Sequence, residues 1–468
     1  MKYLYLLVAI LGTFLLSYFT ISKEINYVII GVLMALIFII CFFSVKLSLI
    51  LLIASMLLSP EIVVGATSKR EITLRLEDLI LLTMTLAWLF RMAFLKDIGF
   101  VLKTQLNKPM AIFIIVMVIS TIIGIMRGNV DILPGFFFSL KIIEYFFLFI
   151  VVINYLTTEK DINLILSLLF IVCGIICVYC LFMIVSGGDV SAPFEGSHGE
   201  RNTLSGYLVL LGSVAAGVLM NTKNSLEKTL LGFMLLFLIV SLLFSGSRSG
   251  WISALVACFV LFFTAKHKNI YFLVLAIMFF ALPFFLPDIV RERINFTFHQ
   301  TSWDPTQQIQ IFGIRLDTST SARIFAAKAV IRYFLSNPFF GYGMTGAFFI
   351  DGQFFRIILE LGILGILSFL WLLYNVHNII YKTMKLELDS RLRGMVVGFY
   401  AGFWALIIHA LSANTFIIVR ISEPFWCLTG LTVVLYYLRH SLATNIIPSQ
   451  TEMIVSEKNS NIVSVAKG

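Results

Sequence analysis

The chain has 468 residues, of which 60% are hydrophobic and 13% charged, with a net charge of +9 and a mean hydropathy of +0.99. Soluble domains carry about a quarter of their residues as charges, so this composition excludes an ordinary soluble protein and identifies an integral membrane protein. No stretch between apolar runs is longer than 287–352, which is too short for a separate nucleotide-sugar transferase or ATPase domain. A G-x-x-x-x-G-K-S/T phosphate loop is absent, and no nucleic-acid partner is expected.

In chain order, apolar runs able to cross a hydrocarbon core of about 30 Å as helices fall at Leu4 to Ile21, Tyr27 to Phe43, Leu47 to Leu58, Leu79 to Phe94, Met110 to Ile125, Phe136 to Leu156 and Leu164 to Val185. They continue at Leu204 to Met220, Leu230 to Phe244, Trp251 to Ala265, Ile270 to Leu286, Phe354 to Val376, Met395 to Leu411 and Phe425 to Leu438. The expectation is an all-α polytopic membrane protein of about 12–14 transmembrane helices. It divides into an N-terminal bundle over 1–286, a large extracytoplasmic loop over 287–352, C-terminal membrane helices over 353–438 and a disordered polar tail over 439–468. The first run follows Lys2 but lacks a small-x-small cleavage pattern, so it reads as a retained helix. All six cysteines fall inside apolar runs and read as small buried hydrophobes. Cys173, Cys177 and Cys180 share a helix face, but no histidine or hydrophilic pocket accompanies them to make a metal site.

Basic residues in short loops mark the cytoplasmic side. Lys96, Lys103, Lys108, Lys223, Lys228, Lys266, Lys268, Lys382, Lys385, Arg391 and Arg393 fall together there if both termini are cytoplasmic. On that assignment 12 of the 16 arginines lie outside and 14 of the 18 lysines inside. Positive-inside bias explains the lysines but not an arginine excess on the other side. A guanidinium grips phosphate oxygens bidentately and stays charged, so the expected ligand is an extracytoplasmic phosphate or pyrophosphate; scattered headgroup contacts are the alternative.

Within the outer segment, Ser319 to Ser336 alternates Ile324, Phe325, Val330, Ile331, Phe334 and Leu335 with Arg323, Lys328 and Arg332, the pattern of an interfacial amphipathic helix. Asn337-Pro338 stops it, and Gly341-Tyr342-Gly343 turns the chain towards the next span. Upstream, Ser245-Gly246-Ser247-Arg248-Ser249-Gly250 joins two apolar runs so tightly that Arg248 is held at the membrane surface. Small residues there let backbone amides and hydroxyls approach an anion beside the guanidinium, although a small-residue hairpin also serves helix packing.

These residues resemble the O-antigen polymerase and ligase superfamily of bacterial surface polysaccharide assembly. The S-x-S-R-x-G turn is carried by Ser245, Ser247, Arg248 and Gly250. Asn202-Thr203 opening a span, Arg323, the run Asn337-Pro338-Phe339-Phe340-Gly341-Tyr342-Gly343, Asp351, Glu360-Leu361-Gly362 with Gly365, and Glu77-Asp78 all fit the pattern. The resemblance covers about Leu76 to Tyr437, with specific motifs between Asn202 and Gly365. It implies a class C glycosyltransferase architecture and a glycan held outside the membrane on an undecaprenyl pyrophosphate, with no cofactor and no metal. An acceptor hydroxyl would displace the lipid pyrophosphate while outer arginines hold its charge.

On that reading Arg248, Arg323 and Asp351 carry the chemistry, Asp351 as base or acceptor-binding group. Ser245, Ser247, Asn202, Arg201, Arg356, Glu360, Lys328 and Arg332 contact substrate. Lipid A ligases of the family usually carry His-Asn before the E-x-G helix. Here that stretch is Ile350-Asp351-Gly352-Gln353, which favours a polymerase of lipid-linked repeat units over a ligase transferring a finished glycan to lipid A core or protein. A transporter is the alternative of another class, but no repeat between halves is visible. The implied setting is the bacterial inner membrane among its lipids, with a flippase and a chain-length regulator as partners.

Other polar groups read as structural or solvated. Lys141 and Glu144 either neutralise each other on one helix, the expected reading, or help to shape the cavity, and Arg356 with Glu360 poses the same choice. His198, beside Glu195 and Glu200, sits in an outer loop, and His409 reads as a helix-packing residue.

Overall fold

The computed structural model describes residues 36–56, 58–59, 61–66, 71–95, 102–193, 200–265, 291–292, 294–296, 308–311 and 314–444. The spans expected at Leu4 to Ile21 and Ile270 to Leu286, the start of the one at Tyr27, the polar tail beyond Thr444, Glu195 and His198 lie outside these residues, while 439–444, expected as disordered tail, continue the last helix.

After a helical stretch at 36–43, the described chain forms α1 (Val45–Ser55), α2 (Leu76–Leu95), α3 (Asn107–Met126), α4 (Ile132–Tyr155), α5 (Glu159–Val185) and α6 (Arg201–Asn221). It continues with α7 (Ser225–Phe244), α8 (Arg248–Thr264), α9 (Thr318–Ser336), α10 (Gln353–Met384), α11 (Ser390–His409) and α12 (Val419–Thr444). Eight of them, α3 to α7 and α10 to α12, are long and apolar enough to cross a membrane. The protein is an all-α polytopic membrane protein. Two small antiparallel ribbons interrupt it: β1 (Glu61–Ala66) with β2 (Glu71–Arg75), and β3 (Gln310–Ile311) with β4 (Ile314–Arg315). Neither is expected from hydropathy: β3 and β4 have two residues each, and β1 does not alternate, although its partner β2, Glu71-Ile72-Thr73-Leu74-Arg75, does.

The helices start where the sequence supplies caps. Thr158 and Asp161 form a capping box on α5, Asn224 Oδ1 accepts from the Leu226 and Glu227 amides on α7, and Asp317 accepts from Thr320 N on α9. Burial separates centre from rim. Of the apolar windows, 83% of α6 and of α12 is buried but only 22% of α7, so α6 and α12 run through the core while α7 turns most of its surface outward. Lipid offers no hydrophobic drive between helices, and close contact relies on small residues. Accordingly α6 lies along α11 on a glycine seam, where a Cβ on Gly217 would stand 2.4 Å from Gly394 O.

Helix ends sort the charges. Lys103, Lys108, Lys223, Lys228, Lys382, Lys385, Arg391 and Arg393 gather at one end of the bundle, where Lys46 pairs with Asp161 at 2.9 Å and Arg391 with Glu227 at 2.6 Å. The N-termini of α2, α4, α6, α8, α10 and α12 open at the other end, together with α9 and most of the described arginines.

Candidate functional site

The Ser245–Gly250 turn joins α7 to α8. Ser247 is the N-cap of α8, its hydroxyl accepting from Gly250 N at 3.3 Å, and Gly246 has a φ of +65°. The Ser247 and Ser249 hydroxyls both donate to Asn202 Oδ1, at 2.9 and 3.0 Å, which ties the turn to the first residues of α6. Ser245 instead turns inward to Leu242 O at 2.7 Å. Arg201 leans over the turn, with Nη1 3.6 Å from where a Gly246 Cβ would stand, and pairs with exposed Asp189 at 3.0 Å.

Arg248 is the first residue of α8, where the helix dipole disfavours a cation. Asp317 compensates: Arg248 Nη2 lies 2.7 Å from its Oδ2. Burial pushes the Asp317 carboxyl up, but hydrogen bonds from Arg248 and Thr320 outweigh it and hold its pKa below the ordinary value. Because Asp317 caps α9, Arg323 follows less than two turns along the same helix. Its Nε is 3.8 Å from Asp351 Oδ2 and has no hydrogen-bond partner among the described residues. Both members of the Arg323–Asp351 pair are partly exposed. Arg201, Arg248, Arg323, Asp351, Asn202 and Ser247 therefore share one end of the bundle. Lys328 and Arg332 lie exposed further along α9.

Arg356 and Glu360 are sealed below. Arg356 Nε is 3.2 Å from Glu360 Oε2, with side-chain exposures of 4% and 3%, and Glu360 Oε1 accepts from Thr345 N at 3.1 Å. Neither faces the surface that the sequence reading expected them to serve. Their helix is interrupted at Gly362, whose backbone is non-helical (φ +66°, ψ −159°). Into that break docks the turn after α9: Ile363 N donates to Pro338 O at 2.8 Å, Gly343 N to Glu360 O at 2.7 Å and Tyr342 N to Leu359 O at 3.1 Å. A Cβ on Gly362 would stand 2.4 Å from Phe339 O. The Asn337–Gly343 run and the Glu360-Leu361-Gly362 motif are thus two halves of one interlock.

Three features escaped sequence reasoning. Lys141 lies 3.3 Å from Asp78 on α2, so the pairing expected with Glu144 inside one helix is instead a bridge between helices. Arg420 is fully buried and donates to Ser59 O at 3.2 Å and to Pro193 O. Ser59 in turn donates to Glu77. His409, read as packing, has its Nε2 3.4 Å from Ser205 Oγ and its Nδ1 2.8 Å from Thr415 Oγ1.

Residues 233–370 match the family described as O-antigen ligase. The matched segment holds the Ser245–Gly250 turn, α9 and the Gly362 interlock, and it supports the O-antigen polymerase and ligase superfamily. No curated protein matches the chain. Arg201 and Arg248 stand at the N-termini of α6 and α8, and Arg323 of α9 lies 3.8 Å from Asp351.

Proposed function

We propose that this protein polymerises undecaprenyl-pyrophosphate-linked oligosaccharide repeat units for a surface polysaccharide. It acts at the outer face of the bacterial inner membrane, with both termini cytoplasmic. The observation that carries the reading is the placement of Arg248 and Arg323 at either end of the first turns of α9, with Asp351 beside the second. Arg248, Arg323 and Arg201 hold the pyrophosphate of the donor, guanidinium groups doing without a metal ion. Ser247, Ser249 and Asn202 fix the turn from which Arg248 projects. The acceptor sugar hydroxyl attacks the anomeric carbon, and a new carbon–oxygen bond forms as the bond to the pyrophosphate oxygen breaks. The leaving oxygen keeps the electron pair, the arginines hold its charge, and the hydroxyl proton passes to the Asp351 carboxylate. Lys328 and Arg332, exposed on α9, meet lipid headgroups or the glycan. A flippase delivers the donor and a chain-length regulator attends the product.

The absence of histidine from Ile350-Asp351-Gly352-Gln353 favours polymerase over ligase. The test is the purified protein in liposomes, supplied with a short undecaprenyl pyrophosphate oligosaccharide and no other acceptor, with products resolved by size. A ladder of evenly spaced lipid-linked products is expected. A single product formed only after lipid A core or a peptide is added would replace the polymerase with a ligase.

A further inference from the structure

The two charged halves of the site, the Arg248 turn and the Asp351 segment, are more than a hundred residues apart in sequence, yet a single buried group links them. His409 ends α11 and is fully buried. On one side of its ring, Nε2 meets Ser205 Oγ at 3.4 Å. Ser205 donates to Ser247 Oγ at 2.9 Å, and Ser247 to Asn202 Oδ1 at 2.9 Å. On the other side, Nδ1 meets Thr415 Oγ1 at 2.8 Å. One assignment satisfies the whole chain: Thr415 donates to Nδ1, Nε2–H donates to Ser205, and each serine hydroxyl then donates once towards Asn202.

Thr415 lies in the 410–418 connection, which is sewn to the residues flanking Asp351. Asn414 Nδ2 donates to Ile350 O at 3.0 Å, Gln353 N donates to Ala410 O at 2.8 Å, and Phe416 N donates to Gln353 Oε1 at 3.0 Å. These bonds fall on both sides of Asp351.

We propose that His409 and Thr415 are positioning residues, a buried hub that fixes the distance and register between the Arg248 turn and Asp351. Transfer requires the acceptor oxygen and the anomeric carbon to meet within about 3–3.5 Å, and a displacement of about 1 Å can cost about a hundredfold in rate. The hub meets that need without touching substrate. Its kinetic consequence rests on the transferase reading above, whereas its structural consequence does not.

The test therefore has two arms, both on the full chain in detergent or liposomes. In the first, amide hydrogen exchange is followed by mass spectrometry without substrate. Ser205→Ala is expected to quicken exchange in 350–353 as well as around the serine turn, and Thr415→Val to quicken it in 245–250 as well as in its own loop. Faster exchange confined to each variant's own side would overturn the hub. In the second, Thr415→Val is expected to lower kcat by at least about tenfold with KM for the lipid-linked donor within about twofold. Thr415→Ser, which keeps the hydroxyl, restores it, and the Ser205→Ala/Thr415→Val double variant is no slower than the worse single one. Unchanged kcat in Thr415→Val would also overturn the hub. If the wild type transfers nothing while exchange is coupled across the two segments, the transferase reading fails and the hub stands. If the wild type transfers and exchange is uncoupled, the reverse holds.

Discussion

Arg248 Nη2 lies 2.7 Å from Asp317 Oδ2, so the first residue of α8 and the N-cap of α9 are held by one ion pair. Two helix N-termini separated by 69 positions (317 minus 248) meet through it. Arg248→Lys keeps the charge but loses the planar fork. The expected outcome is a fall of about a hundredfold in kcat, the scale of removing one charge-stabilising donor. Transfer assayed in liposomes measures it, and full activity would remove the pyrophosphate role from Arg248.

Acid should loosen the same pair. The folded pKa of Asp317 is held below its unfolded value of about 3.9. A depressed carboxylate stabilises the fold above the unfolded value, and the contribution is lost as pH falls through the folded one. Thermal midpoints followed by intrinsic fluorescence should thus lose this contribution only below about pH 4. Asp317→Asn keeps an acceptor for Thr320 N, costs about 1 kcal/mol at neutral pH and flattens part of the acid decline. An unchanged decline in Asp317→Asn would show that other carboxylates govern it.

Asp351→Asn separates binding from chemistry. On the proposed function the amide cannot accept the hydroxyl proton while the arginines still face the phosphates, so turnover should vanish and the lipid-linked donor should still bind within about twofold. Equilibrium binding of a labelled donor beside the transfer assay reads both. Loss of binding would reassign Asp351 to the holding of Arg323.

Gly362→Ala probes the interlock. The added Cβ meets Phe339 O in a backbone region that is nearly exclusive to glycine, at a cost of about 1–3 kcal/mol or more. A lower thermal midpoint and proteolysis within 337–346 are expected. A variant as stable as the wild type would mean that the turn after α9 docks by other contacts.

Hydropathy made the spans legible because a bilayer demands long apolar helices. The run expected at Phe354 to Val376 is α10, Gln353–Met384, without its last two turns, and that at Leu230 to Phe244 lacks only the first residues of α7. The amphipathic helix at Ser319 to Ser336 was legible for the same reason, since a 3.6-residue period marks it. Side-chain partners were not. Lys141 was assigned to Glu144 because neighbours on one helix are all that a sequence shows, yet its partner Asp78 comes from α2. His409 carried no signal because its partners stand 204 positions upstream and 6 downstream. Arg356 and Glu360 show the converse: their four-residue spacing announced the ion pair, but burial depended on the loop at Thr345 that closes over them.

The interlock at Gly362 and the ion pair at Asp317 bracket α9, one at each end. A helix clamped twice is a rail rather than a hinged lid, and it has no free end to swing.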